Sequence, residues 1–127
     1  MRATKKAQYA LRAMIFLGRN GFSSLRLIAE KENISFDYLE KILSKLEKSN
    51  LIKSKKGPTG GYSLALKPEE ISLKSVFDAV GEPISLVDCL KARCPLDDNC
   101  RAMKGWRKAN EKIEEALLSV KLIDLLK

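Results

Sequence analysis

At 127 residues, with 45% apolar and 31% charged side chains, the chain has room for one small core and for little else. Its 24 Lys and Arg against 16 Asp and Glu leave a net charge of +8, which favours polyanions, nucleic acid ahead of an anionic membrane surface. No apolar run reaches the ~18 residues of a membrane span, the start M-R-A-T-K-K-A-Q-Y-A lacks a signal-peptide pattern, and three cysteines fit a secreted disulfide scaffold poorly, so a cytoplasmic protein without a membrane partner is expected.

The first element is a helix over residues 4–19, because Ala7, Ala10, Leu11, Met14, Ile15 and Leu17 recur at helical spacing. Thr4 is placed to cap it and Gly21 to end it. Ser24 caps a second, short helix through Lys31 that buries Leu27 and Ile28, and a turn follows at Glu32–Ile34. Ser35 caps a third helix running to about Ser49. At ~100° per residue its Leu39, Ile42, Leu43 and Leu46 share one narrow face, while Asp37, Glu40, Lys41, Ser44 and Lys48 point the other way. Taken alone, such a polar face is a solvated surface. A short helix, a tight turn and a helix with an exposed polar face, in that order, make a helix-turn-helix.

Leu51–Ser54 and Tyr62–Leu66 read as two strands of a hairpin, joined by Lys55–Gly61 with its three glycines and one proline. This loop is no phosphate-binding P-loop, since it lacks G-x-x-x-x-G-K-[ST] and no helix follows it. It suits a wing: glycines allow a sharp turn and close approach to a phosphate, Lys53, Lys55 and Lys56 supply charge, and Tyr62 anchors the returning strand. Ile71–Val80 is a further short helix, broken by Gly81 and Pro83. After a cysteine-containing loop over 88–100, a long helix runs from Arg101 to about Val120. On it Trp106, Asn110, Ile113, Leu117 and Val120 alternate steps of four and three, a heptad-like seam that Ala102, Ala109 and Ala116 widen. A helix packed on its own core is the plain alternative. Because the earlier helices already supply a core, Trp106, Ala109, Asn110, Ile113, Leu117 and Val120 are expected to form a dimer interface. The expected fold is mainly α. A winged helix-turn-helix with a two-stranded wing (1–80) is followed by the cysteine loop (81–100), then by the dimerisation helix and tail (101–127).

On double-stranded DNA the third helix would enter the major groove, with Glu40 accepting from cytosine N4 and Lys41 donating to guanine O6 or N7. Lys45, Lys48 and the wing lysines would hold phosphates. The candidate DNA-binding set is Arg2, Ser35, Asp37, Tyr38, Glu40, Lys41, Ser44 and Lys45, with Lys55, Lys56, Gly57, Thr59, Gly60 and Gly61 of the wing.

Cys89, Cys94 and Cys100 are spaced C-x4-C-x5-C and are all the cysteines of the chain, which has no histidine. Structural zinc would need a carboxylate such as Asp88, Asp97 or Asp98 as fourth ligand. A disulfide would strand one thiol. A catalytic cysteine would lack its histidine base. Lys91 and Arg93 can lower a thiol pKa, which keeps redox-active thiols open, and thiolates this close together also suit an iron–sulfur cluster. With no histidine, nucleotide loop or triad pattern, an enzyme is not expected.

The strings M-R-A-T-K-K-A-Q-Y-A-L-R-A-M, I-S-F-D-Y-L-E-K-I-L-S-K-L and N-L-I-K-S-K-K-G-P-T-G-G-Y, followed by three cysteines and a long final helix, resemble the IscR/NsrR-type family of bacterial winged-helix regulators, also called the Rrf-two family. The resemblance runs from residue 1 to about 124. It implies a transcriptional regulator that binds a pseudo-palindromic operator as a homodimer through the helix after Cys100. It implies that Cys89, Cys94 and Cys100 ligate an iron–sulfur cluster, 2Fe–2S more than 4Fe–4S, which senses iron–sulfur status, oxygen or nitric oxide. Glu40 matches a position that reads DNA. Lys56 stands where many relatives carry a wing arginine, without that residue's planar fork. Met103 and Gln8 stand where two branches of the family supply a histidine or an acidic ligand, and the first cysteine gap is one residue shorter than in many relatives. The fourth ligand therefore stays open among Gln8, an aspartate, a backbone group and an exogenous thiol or water. Some relatives carry no cluster and sense cysteine metabolism through a partner protein. A regulator with structural zinc or thiol-redox sensing is the alternative.

Overall fold

The computed structural model describes residues 3–82 and 101–127. Arg2, the three cysteines and the loop residues around them lie outside the described residues, so the expectations placed on them are carried by sequence alone. The elements follow as α1 (Lys5–Asn20), α2 (Leu25–Glu32), α3 (Phe36–Lys48), β1 (Ile52–Lys55), β2 (Gly61–Leu64), a 3-10 turn (Pro68–Glu70), α4 (Leu73–Ala79), α5 (Arg101–Ser119) and a second 3-10 turn (Leu122–Leu125). This is the mainly α winged helix-turn-helix with a long C-terminal helix that the periodicities predict.

Each of the first three helices starts on a hydroxyl. Thr4 Oγ1 accepts from the Ala7 N–H at 3.2 Å, Ser24 Oγ from Leu27 at 3.1 Å and Ser35 Oγ from Tyr38 at 3.3 Å. These satisfy backbone donors that the helices cannot pair internally. α2 stops at Asn33, which takes a left-handed conformation (φ 54°, ψ 50°) and so turns the chain into α3 within a few residues.

The core is built where α1 crosses α3. Ala7, Ala10 and Ala13 keep α1 slim enough for Met14 and Leu17 to reach Leu39, Ile42, Leu43 and Leu46, and Ile28, Leu51, Ile52, Ile71, Val76 and Val80 close the remaining sides. The expectation for α2 was half right. Ile28 is buried, but Leu27 is 39% exposed and Ala29 takes its place. Leu27 and Ala29 flank Ile28 by about 100° each way, so a helix that faces inward between Ile28 and Ala29 must turn Leu27 out.

The two strands pair antiparallel in the register Ile52↔Leu64, Lys53↔Ser63, Ser54↔Tyr62 and Lys55↔Gly61, so β1 runs one residue later than expected, while β2 starts one residue earlier and ends two residues earlier. A bridge that the sequence did not announce pins the wing root to the loop between α1 and α2: Ser23 donates to the Tyr62 carbonyl at 2.9 Å and Tyr62 to the Ser23 carbonyl at 2.8 Å. A second unannounced bridge closes the molecule at the other end. Leu73 donates to the Val120 carbonyl at 3.0 Å and Leu122 to the Ile71 carbonyl at 2.8 Å, so the tail after α5 is stitched to the start of α4.

Candidate nucleic-acid interface

α3 is fixed by its buried face and presents the other. Asp37, Glu40, Lys41, Lys45 and Lys48 are exposed, Ser44 is half-buried, and the six line one open groove. Asp37 lies in the first turn and Lys45 and Lys48 in the last, each the sign that the helix dipole favours there. Ser35 uses its oxygen as the N-cap acceptor, which leaves its O–H free in principle to donate outward.

Tyr38 has a second role that its place in the sequence did not reveal. Its ring meets Tyr9 of α1 edge to face, centroids 5.7 Å apart at 74°. Arg12 stacks over Tyr9 at 5.5 Å, donates from Nε to Glu32 at 3.1 Å, and donates from its terminal nitrogen to the Glu32 carbonyl at the end of α2. The series Glu32–Arg12–Tyr9–Tyr38 thus sets the start of α3 against α1 and α2. Tyr9 and Arg12 escaped sequence reading. The only signal was a polar–aromatic pair three residues apart, off the apolar stripe of α1.

The wing is held from both ends. Ser54 Oγ donates to the Glu47 carboxylate at the end of α3. Tyr62 is half-buried, and its hydroxyl is pushed above the usual tyrosine pKa by burial first and by the Glu47 and Glu40 carboxylates after it. At the tip the Gly60 N–H donates to the Gly57 carbonyl at 2.9 Å, and Gly57 has φ +112°. A Cβ on Gly60 would lie 2.3 Å from the Lys55 carbonyl oxygen, and one on Gly61 would lie 2.5 Å from that of Ser23. Lys53, Lys55, Lys56, Gly57 and Thr59 are exposed. Gly61 is buried at the wing root, so it shapes the interface from beneath.

The seam on α5 is split. Trp106 (45% exposed) and Ala109 stand in solvent, while Asn110, Ile113 and Val120 are half-buried and Leu117 packs on the chain's own core. Asn110 donates to Glu114 at 3.4 Å. Leu117 therefore packs within its own chain, and the Val120 carbonyl, which accepts from Leu73, ties the end of α5 to α4. No group of three metal-ligating side chains occurs among the described residues, and no described helix is long and apolar enough to cross a membrane.

Comparison with known proteins agrees with this architecture. The family model described as "Rrf2: Iron-dependent Transcriptional regulator" matches residues 3–127. A putative HTH-type transcriptional regulator of Haemophilus influenzae is 36% identical over 130 residues, covering 99% of this chain and 87% of that one. The HTH-type transcriptional regulator IscR of Aliivibrio salmonicida is 36% identical over 130 residues, covering 99% and 77%. Among solved structures, CymR, the global cysteine regulator of B. subtilis, superposes with a TM-score of 0.78 at 32% identity, covering 99% of this chain and 96% of that one. T. potens IscR superposes with a TM-score of 0.74 at 32% identity, covering 99% and 86%.

Proposed function

The chain belongs to the Rrf2 family of transcriptional regulators, which are not enzymes, and from that premise we propose that it controls transcription as a homodimer on a pseudo-palindromic duplex. The observation that carries the reading is the uncovered polar face of α3 beside a closed, lysine-bearing wing. α3 lies in the major groove, with Glu40 accepting from cytosine N4 and Lys41 donating to guanine. Lys55 and Lys56 hold flanking phosphates and set the register. Fixing α3 through Tyr38 and the wing through Ser54 and Tyr62 spares the complex much of the ordering cost of binding.

Cys89, Cys94 and Cys100 are three soft donors in a chain without histidine, a set that fits an iron–sulfur cluster, and the family resemblance favours 2Fe–2S over 4Fe–4S. When bound there, the cluster would supply a redox- and iron-sensitive charge directly before α5, the helix we assign to dimerisation. The fourth ligand is open, and Gln8, which donates to the Ala3 carbonyl at 2.9 Å, is exposed near the start of α1. A second reading, thiol chemistry at the same cysteines without a cluster, is favoured by the likeness to the oxidized form of Staphylococcus aureus CymR, which superposes with a TM-score of 0.77 at 30% identity.

Selection from a pool of random duplexes, run with protein reconstituted anaerobically with iron and sulfide and with protein left without them, tests both levels. A two-fold symmetric site should be enriched. Iron, acid-labile sulfide and visible absorbance should appear together and disappear in Cys94→Ala. Glu40→Ala should enrich a more degenerate site at similar affinity. Failure to enrich any sequence overturns the regulator reading. Colourless protein that takes up zinc alone, or only oxidises its thiols, overturns the cluster.

A further inference from the structure

The tail after α5 comes to rest on a glycine of α1. Gly18 lies inside that helix, shortly before its C-cap Gly21, where glycine weakens a helix. Its backbone is helical, so no left-handed turn calls for it. What Gly18 supplies is room. A Cβ there would stand 2.7 and 2.9 Å from the two methyls of Leu126 and 3.4 Å from its Cγ. Leu126 is half-buried and packs against the core. Earlier in the tail, the Val120 carbonyl accepts from Leu73 at 3.0 Å and Leu122 donates to the Ile71 carbonyl at 2.8 Å. The tail is therefore held twice, once to the start of α4 and once to α1, the helix that also packs on α3.

A single anchor leaves a helix free to swing, and a second fixes its direction. α5 has 19 residues. Over its length of ~28 Å, a tilt of about 7° carries one end through ~3.4 Å, one base-pair step of a duplex. We propose that Leu126, seated on Gly18, is a positioning residue: it fixes the direction of α5 against the winged helix-turn-helix and so selects the half-site spacing that a pair of protomers accepts. The inference rests on the homodimer reading, in which α5 joins the two copies, and adds what sets the distance between their recognition helices.

The test uses three duplexes: the site selected by the unaltered protein, the same site with one base pair inserted between its half-sites, and a single half-site. Fluorescence anisotropy gives the affinity for each, and sedimentation gives the oligomeric state. The unaltered protein should bind as a dimer and prefer the selected spacing. Leu126→Ala and Gly18→Ala should both stay dimeric and bind the single half-site as the unaltered protein does. Their preference for the selected over the extended site should fall by roughly fivefold or more, the lower end of what coupling between two sites supplies. Gly18→Ala should do this without a lower melting temperature, because alanine is the better helix former, so a loosened fold is not the cause. Ile123→Ala, at an exposed position of the same tail, should leave the preference intact. An unchanged spacing preference in either variant, an equal fall with Ile123→Ala, or an equal loss on the single half-site overturns the positioning role of Leu126. Unaltered protein that sediments as a monomer on the selected duplex overturns the homodimer reading and this inference together, whereas a dimer without a spacing preference, or one whose variants keep it, overturns this inference alone.

Discussion

Two adjacent glycines of the wing do different work, and substitution separates them. Gly60 closes the tip: a Cβ there would meet the Lys55 and Gly57 carbonyl oxygens at 2.3 and 2.9 Å, both backbone atoms that cannot step aside. Gly60→Ala is expected to spring the hairpin, costing duplex affinity while the thermal melt moves little, because the tip residues Lys55–Thr59 are exposed. Gly61 sits at the root, where its Cβ would press on Ser23. Gly61→Ala is expected to lower stability as well, by about 1–3 kcal/mol, measured by urea denaturation. Three glycines in a row of turn residues made the hairpin legible in the sequence. Which glycine faced a carbonyl was not, because Ser23 is brought to Gly61 only by the fold. Tyr62 adds a pH signature. Its folded pKa is raised above the ordinary 10.0, so the stability it contributes is intact below pH 10.0 and is lost as pH climbs through the folded value. Tyr62→Phe should remove that alkaline decline in stability, followed by melts across alkaline pH.

Among the elements, α3 was the most readable. Four aliphatic residues on one face and a capping serine dictate both its span and its exposed side, and the structure follows the pattern to within a residue. Ser35→Ala should cost about 1 kcal/mol in a urea melt, the usual worth of such a cap, and should weaken duplex binding, since the cap sits where α3 begins its exposed groove. α2 was less readable. In an eight-residue helix a single turn of 100° decides between Leu27 and Ala29, and only the neighbours settle it. The seating of α3 through Glu32, Arg12, Tyr9 and Tyr38 was invisible for a related reason: it joins three elements by polar and aromatic edges, and periodicity records only apolar faces. Tyr9→Ala should therefore weaken duplex binding without touching a residue of the groove, and should do so with only a modest fall in melting temperature, because Tyr9 is only partly buried.

At the scale of the whole molecule, α5 and the tail after it differ along their length. The far end of α5 and the tail pack on the chain's own core. Leu117 lies on the core, Leu122 is 2% exposed, and Leu126 reaches so close to Gly18 that a Cβ there would stand 2.7 Å from its methyl. The alternating steps of four and three ran straight through this division, because a helix packed on its own domain and one packed on a partner use the same spacing. Only the bridge between Ser72 and Lys121, distant in sequence, tells them apart. Leu122→Ala should thus cost about 2–5 kcal/mol, as for other buried leucines, whether or not the protein is dimeric. The near end is different: Trp106 is 45% exposed with Ala109 beside it, an apolar stripe that a second copy would cover. Trp106→Glu places a charge on that stripe without disturbing the protomer's core. It should shift sedimentation from dimer to monomer and leave the low-concentration melt unchanged. It should also abolish tight duplex binding, because two recognition helices must be held about 34 Å apart to read both half-sites at once. A Trp106→Glu protein that sediments as a dimer would move the interface off this stripe, and the spacing of the recognition helices would then have to be set elsewhere on the surface.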